Sequence, residues 1–138
     1  MDENLFKKGK LFTEYAESSD FEDEYNNASI SVEDKKFFSS FKVKVLCISE
    51  KWCKDCRREV PLLAYIADEA GWDLRIFQID DNPDLTEEYT TDGKRVIPVF
   101  VFFDEHFKEV GRFVEKAPPK KTTFDVLKEI LKKSSSRS

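Results

Sequence analysis

The stretch from Val43 to Pro61 constrains the fold of this chain more than any other part of the sequence. Its first part, Val43 to Ile48, is an apolar run rich in β-forming residues that ends at a short polar loop. A Cys-X-X-Cys motif made by Cys53 and Cys56 then opens a segment whose apolar residues recur at helical spacing. The sequence therefore predicts a buried strand, a short loop and a helix that begins at two cysteines.

The spacing of the two cysteines indicates redox chemistry. Residues three positions apart lie on one face of a helix, close enough for a disulfide with little backbone movement. Cys53 is expected at the helix N-terminus, where free N–H groups and the positive end of the helix dipole favour a thiolate, so it is the predicted nucleophile. Cys56, one turn further along, is better shielded and suits the resolving role.

Size and charge allow one domain and exclude some partners. The chain has 138 residues, which fits a single domain of the commonest size, about 100 to 150 residues. Thirteen phenylalanines and a hydrophobic share of 40% argue against global disorder. A net charge of -5 gives no reason to expect nucleic acid or an anionic membrane as a partner.

The sequence favours a cytoplasmic location. Its first residues are acidic and lack the apolar core of a signal peptide. The longest apolar run, Val96 to Phe103, has eight residues including a proline, whereas roughly 20 are needed to span a bilayer. Three cysteines, two of them in one motif, are unlike a secreted disulfide framework and more typical of a catalytic pair with a bystander.

The chain begins with a predicted helical extension, residues 1–30. Its apolar side chains recur at helical spacing around an acidic segment: Leu5, Phe12, Tyr15, Ala16, Phe21 and Tyr25. The acids Glu22 to Glu24 are interpreted as a solvated helix face. Ser31 with Asp34 resembles a capping box that starts a further short helix. We therefore expect an extension packed on a domain of residues 31–133, followed by a disordered tail, 134–138.

Beyond the cysteine helix, the pattern predicts a parallel strand and another helix. Gly71 is a plausible helix stop, and Trp72 to Ile79 is rich in β-forming residues. Strand, helix and strand form a βαβ unit with parallel strands. Asn82 followed by Pro83 predicts a helix to about Tyr89 that ends near Asp92-Gly93.

The last third predicts a hairpin and a final helix. Val96 to Phe103 and Phe107 to Val114 flank the polar turn Asp104-Glu105-His106, which is typical of an antiparallel pair. Thr122 or Thr123 can cap a helix with apolar residues on one face.

From about Ser31 to Leu131 the chain resembles the thioredoxin fold, in particular thioredoxin-like proteins with a Trp-Cys-X-Asp-Cys motif. The features that carry the resemblance are these: Trp52-Cys53-Lys54-Asp55-Cys56, Pro61, Asp80-Asp81-Asn82-Pro83 and Ile97-Pro98. The resemblance implies an α/β, three-layer fold with a central mixed sheet flanked by helices. It also implies a cis peptide bond before Pro98, which faces the cysteine pair and shapes the substrate groove with Ile97.

The chain lacks the buried acid and lysine that take part in proton transfer in ordinary thioredoxins. Where the family places a buried acid, this sequence has Cys47, and Ile76 takes the place of the lysine on the next strand. We expect a buried, protonated Cys47 near Cys56. Removing the proton from Cys56 would then rely on water or on an exposed group such as Glu50 or Asp55. The glycine that follows the hairpin in the family has no clear counterpart within Val114–Ala117.

The sequence predicts a protein-disulfide reductase that acts through Cys53 and Cys56. Trp52, Lys54 and Asp55 are expected to tune the pair, with no metal or organic cofactor. Expected partners are disulfide-containing protein substrates and an unidentified electron donor, with no nucleic acid and no membrane, and a monomer is expected.

Two alternatives remain open. One is a non-catalytic binding module that holds a partner with its acidic N-terminal helices. The other is a metal or iron–sulfur scaffold, although a zinc site needs four ligands and only Cys47 and His106 could join the pair. For Cys47 and His106 themselves, the simpler interpretations are a buried apolar residue and an exposed turn residue.

Overall fold

The structure is a computed structural model that describes residues 1–90 and 96–135 of the chain. Those residues form helices and strands in this order: α1 Glu3–Phe6, α2 Phe12–Ala16, α3 Asp20–Asn26, α4 Val32–Ser39, β1 Lys44–Ser49, α5 Lys54–Ala70, β2 Asp73–Gln78, α6 Pro83–Tyr89, β3 Val99–Phe103, β4 Glu109–Val114 and α7 Thr123–Ser135.

The four strands form one mixed sheet in the order β2-β1-β3-β4. β1 pairs with β2 in parallel and with β3 antiparallel, and β3 pairs with β4 antiparallel. The predicted βαβ unit and hairpin are therefore confirmed. In β1, every residue from Val45 to Ser49 is buried, which explains why this strand is an almost continuous apolar run instead of an alternating one.

Helices flank this sheet, as the α/β three-layer prediction requires. α3 and α4 pack against α5, α2 packs against β2, and α7 packs against β4. The approach of α7 depends on Gly111, because a Cβ atom at that position would lie 2.5 Å from Cγ2 of Ile130. Nearby, the Trp72 indole donates a hydrogen bond of 3.0 Å to the Phe41 carbonyl, which ties the start of β2 to the loop after α4.

Local sequence signals set several helix ends. The Ser31 hydroxyl accepts from the Asp34 amide at 3.0 Å and begins α4. Gly71 ends α5 in the left-handed region with φ 79°, where glycine has no steric cost. At α7 the cap is Thr122, not Thr123: its hydroxyl accepts from the Asp125 amide and its own amide donates to the Asp125 carboxylate.

The N-terminal segment is more closely integrated with the sheet than its helical pattern suggests. It consists of short helices, and Lys10 between them makes an antiparallel bridge to Ile76 of β2. The two amide–carbonyl hydrogen bonds of this bridge are both 2.8 Å long. Phe6, Tyr15 and Phe21 are buried at 1–2% exposure and join the main core. This segment therefore covers the β2 edge, which would otherwise be an exposed sheet edge.

The final helix is longer than predicted. α7 continues through Ser135 and so includes the first two residues of the predicted tail. The Ser134 hydroxyl donates to the Leu131 carbonyl at 2.7 Å, which satisfies one of the carbonyls left open at a helix end. The rest of that tail lies outside the described residues, as does the predicted helix end at Asp92-Gly93.

Candidate redox site

The site is built where β1 ends and α5 begins. Cys53 occupies the N-cap of α5 with an extended backbone, φ -85° and ψ 119°. Its sulfur accepts a hydrogen bond from the Cys56 amide at 3.1 Å. Oxygen side chains usually satisfy the free amides of a first helical turn, and here a sulfur does so. The N-cap geometry therefore places the Cys53 sulfur against the positive end of the helix.

The loop before β3 forms the other side of the site. The Cys53 thiol lies 3.7 Å from the Ile97 carbonyl oxygen, to which it donates a weak hydrogen bond. The Ile97–Pro98 peptide bond is cis, and both residues are buried. Cys53 itself is 8% exposed, whereas Cys56 is 0% exposed. Of the two cysteines, Cys53 is therefore the more exposed.

Cys56 is held as a thiol by its surroundings. Burial raises its pKa first of all, and its hydrogen bond with Cys53 raises it further. The Ser49 side chain and the Glu50 backbone act in the opposite direction and lower the pKa. Burial outweighs these two interactions, so the surroundings favour the thiol form of Cys56.

Cys47 lies in the middle of the sheet. It is 0% exposed and pairs in register with Ile76 of β2 and with Phe100 of β3. Burial raises its pKa well above the ordinary value, and the nearby Cys56 and Cys53 raise it further. The burial of Cys47 is as expected, and it favours the protonated thiol. Neither neighbouring strand offers it a charged partner in register.

The residues around the motif differ in exposure. Trp52, the residue before Cys53, is 68% exposed and so lies outside the core. Lys54 is also exposed. Asp55, in the first turn of α5, accepts a hydrogen bond of 2.9 Å from Arg58, which also binds Glu59 at 3.0 Å. Asp55 is therefore held in an ion pair on its own helix.

The prediction of an exposed Glu50 was wrong. Glu50 is 6% exposed, and its Oε1 atom is buried with no hydrogen-bond partner among the described residues. The reason is the tight loop: the Cys53 amide donates to the Glu50 carbonyl at 3.3 Å, so the chain turns here with Glu50 on its inner side. A polar Ser-Glu-Lys loop gives no sequence signal of this burial.

Sequence reasoning missed one pair of residues at the site entirely. Tyr15 in α2 and Ser49 at the end of β1 join their hydroxyls in a buried hydrogen bond of 2.7 Å. Burial is the main reason that the pKa of Tyr15 lies far above its ordinary value, so the phenol stays protonated. The contact spans 34 positions of sequence, and no local pattern connects them.

The loop after the hairpin contains a non-glycine residue in a backbone conformation that favours glycine. Glu115 adopts a left-handed backbone with φ 65°, a conformation that glycine would adopt more easily. Its amide donates to the Pro98 carbonyl at 2.7 Å. The backbone beside the cis proline is therefore held by the residue that follows β4.

His106 does not join the cysteines. It is exposed in the turn after β3, where the Asp104 carboxylate accepts from its amide at 2.8 Å. β3 separates this turn from Pro98, and five strand residues span roughly 17 Å. Within residues 1–90 and 96–135, no three His, Cys, Asp or Glu side chains are grouped so that they could hold a metal ion. In the same part of the chain, no helix has the length and apolar character needed to cross a bilayer.

Comparison with known proteins identifies the family. A sequence model described as thioredoxin matches residues 6–128. The chain belongs to the thioredoxin family. One similar solved structure is a Pseudomonas aeruginosa protein of unknown function, with a TM-score of 0.75, 18% identity, and coverage of 97% of this chain and 96% of that one. Another is an HIV epitope-scaffold protein, with a TM-score of 0.69, 19% identity and coverage of 93% and 86%.

These likenesses establish the fold, and family membership points to oxidoreductase chemistry in general. The match begins at residue 6 and so includes most of the segment that the sequence analysis treated as an extension. Tyr15 and Ser49 both lie inside it.

Proposed function

We propose that this thioredoxin-family protein is a thiol–disulfide oxidoreductase that reduces disulfide bonds in protein substrates. The observation that carries the proposal is the position of the Cys53 sulfur. It accepts a hydrogen bond from the Cys56 amide at 3.1 Å at the start of a helix and lies 3.7 Å from the Ile97 carbonyl oxygen, in a residue that is 8% exposed. An accessible sulfur that can be stabilised as a thiolate, with a second thiol one turn away, is what two-step disulfide exchange requires.

The proposed reaction has two exchange steps. The Cys53 thiolate attacks one sulfur of a substrate disulfide, forming a mixed disulfide and releasing the first substrate thiolate, which takes up a proton. The Cys56 thiolate then attacks the Cys53 sulfur and releases the second substrate thiolate. Two electrons pass to the substrate, and Cys53 and Cys56 become a disulfide. A dithiol electron donor returns the pair to its reduced form.

Residues around the pair have supporting roles in this proposal. Trp52, which is exposed, and the Ile97–Pro98 backbone border the substrate groove. Lys54 and Asp55 stand between the two cysteines and tune the pair by their charges, and Asp55 is also paired with Arg58. We place the reaction in the cytoplasm, where the reducing poise favours disulfide reduction, and expect the protein to act as a monomer.

The test combines an insulin-type disulfide reduction assay with a redox titration of the cysteine pair. We expect Cys53→Ser to abolish turnover, because the attacking thiolate is lost, and Cys56→Ser to accumulate mixed disulfides with substrate proteins. Cys47→Ala is the matched control, since it removes the third thiol and should leave turnover intact. Retention of turnover by Cys53→Ser would refute the assignment of the nucleophile.

The same assay, together with a binding measurement, distinguishes the reductase from the alternative, a non-catalytic binding module. α3 exposes the carboxylates of Glu22, Asp23 and Glu24, as a binding module for a basic partner would. If the wild-type protein gave no turnover with any dithiol donor, and a partner bound equally well to wild type and Cys53→Ser, the binding module would replace the reductase.

A further inference from the structure

A groove lies on the surface where the N-terminal segment packs on the rest of the fold. One hollow of about 270 Å³ lies between α2, α3 and α5, and another of about 200 Å³ lies between α2, α5 and the start of β2. Phe12, Thr13 and Asp68 border both hollows, so the two form one continuous surface, here called the Phe12 groove. Among the described residues, no cysteine lines either hollow.

The walls of the Phe12 groove are aromatic and held in place. The ring of Phe12 stacks on that of Tyr25, with ring centroids 5.2 Å apart. The Tyr25 hydroxyl donates a hydrogen bond to the Asp68 carboxylate, which fixes α3 against α5 beside the larger hollow. At the edge of the smaller hollow, Leu11 is 45% exposed. An exposed leucine next to a groove of this kind offers apolar surface that a partner can cover.

The groove carries negative charge that the protein itself does not neutralise. Residues 11–34 contain eight acids and no lysine or arginine, whereas the rest of the chain has 23 basic and 20 acidic residues. The charged residues that line the groove are Glu22, Asp68 and Asp73, and no basic side chain lines it in the described part of the chain. Asp73 is paired with Arg75 at 2.9 Å. Glu22 and Asp68 form no ion pair with any described residue.

The size and charge of the groove indicate what it fits. Pockets for small molecules typically have volumes of about 300–1,000 Å³, and each of these hollows is smaller. Each hollow is better matched to a single side chain, and the two together match two side chains from one peptide segment. The unpaired carboxylates of Glu22 and Asp68 attract cations and repel nucleic acid or an anionic membrane. The complementary occupant is therefore both apolar and basic.

We propose that the Phe12 groove binds a segment of a partner protein that presents apolar side chains flanked by lysine or arginine. The inference goes beyond the proposed reductase function and does not depend on it, because no thiol takes part in the binding. The groove borders α5, the helix that begins at Cys53. A partner held in the groove is thus anchored on the same helix as the redox pair.

The test uses a synthetic probe peptide of about 12 residues, or roughly three helical turns, made of leucine and lysine in an amphipathic pattern. A fluorescent label on the peptide reports binding to the full chain by anisotropy. We expect saturable binding that weakens as the salt concentration rises, because the charges lie at the surface. Two control peptides, with glutamate in place of lysine and with serine in place of leucine, should each bind far more weakly.

Three single variants of the protein remove one feature of the groove each. Glu22→Gln and Asp68→Asn remove a charge and keep the side-chain shape, and the asparagine oxygen can still accept from Tyr25. Each should weaken binding of the leucine–lysine peptide by about 2- to 5-fold, as expected for ion pairs at a surface. Leu11→Ser should weaken it by roughly 3- to 10-fold, because the apolar contact at the edge is lost.

The matched control variants are Asp23→Asn and Glu24→Gln. Both residues are exposed on α3, the helix that carries Glu22, and neither borders a hollow. They change the net charge by the same amount, but should change the affinity by less than about 2-fold, because they do not touch the bound segment. In amide chemical-shift mapping by NMR, the peptide should perturb α2, α3 and the neighbouring part of α5. Cys53→Ser should bind it as wild type does.

Each other outcome overturns the proposal. Equal binding of the serine–lysine peptide, or equal weakening by groove and control variants, would show only general attraction to an acidic surface. Shifts confined to other parts of the fold, or no saturable binding, would also refute the groove. The reductase is judged separately: turnover of insulin without peptide binding refutes the groove alone, and peptide binding without turnover refutes the proposed function alone.

Discussion

Replacing Cys47 by aspartate restores the acid that ordinary thioredoxins carry and tests whether this sheet can hold one. The site is 0% exposed and lies in register between Ile76 and Phe100. Removing an ion from water costs several kcal/mol in a real protein interior, and no lysine is available to offset this. We therefore expect Cys47→Asp to lose about 3–5 kcal/mol of unfolding free energy at neutral pH, out of a typical 5–15 kcal/mol.

The pH dependence of this loss identifies its cause. Burial raises the pKa of the new carboxyl in the folded protein above its unfolded value of about 3.9. Below that value the acid is neutral in both states, and the penalty is smallest. As the pH rises from there to the folded-state pKa, stability falls by about 1.4 kcal/mol per pH unit. Urea unfolding at about pH 5 and about pH 8 measures the difference.

The control for this experiment is Cys47→Asn, which has nearly the same shape and no charge. Its stability relative to wild type should change little between the two pH values. If Cys47→Asp is as stable as Cys47→Asn at the higher pH, the apolar environment inferred for position 47 is wrong. In a stopped-flow measurement of the second exchange step with a chromogenic disulfide, the ionised aspartate should accelerate resolution relative to asparagine, because it can accept the Cys56 proton.

Three further expectations follow from particular contacts. In the native oxidised protein, Cys47 should be one free thiol that reacts only on unfolding, and labelling as fast as an exposed thiol would contradict its burial. Thr123→Val should cost about 1–3 kcal/mol in urea unfolding, because the buried Glu59 carboxylate loses the hydroxyl that hydrogen-bonds it. Gly111→Ala should cost about 1–3 kcal/mol through its clash with Ile130, and Ile130→Ala in the same chain should cost less than it does alone in wild type.

Local signals explain why so much of the fold could be predicted. The buried strand β1 is a continuous apolar run, and Gly71 and the Thr122–Asp125 pair mark helix ends by mechanisms that act within one turn. The N-cap position of Cys53 follows from the same kind of reasoning. These features depend on residues a few positions apart, so the sequence alone contains what is needed.

Features formed by distant residues could not be predicted in this way. The bridge between Lys10 and Ile76 satisfies a sheet edge with a residue that belongs to no strand pattern. The helical spacing indicated correctly that Tyr15 faces a core, but not that its hydroxyl meets Ser49. The burial of Glu50 arises from the turn of a polar loop, and charge at such a position ordinarily indicates exposure.

The residues proposed to act in the two steps of the reaction are held in place by different parts of the chain. Attack depends on Cys53, whose sulfur is oriented by the helix that its own motif begins. Resolution depends on Cys56, whose pKa is lowered by Ser49, and Ser49 hydrogen-bonds the Tyr15 hydroxyl of the N-terminal segment. That segment is fixed to β2 by the Lys10 bridge and to α5 by Tyr25, so Tyr15 reaches Ser49 from a rigid support. A neutral hydroxyl can be buried at lower cost than a carboxylate, which is why an apolar sheet without a lysine can accommodate this arrangement more readily than a buried acid.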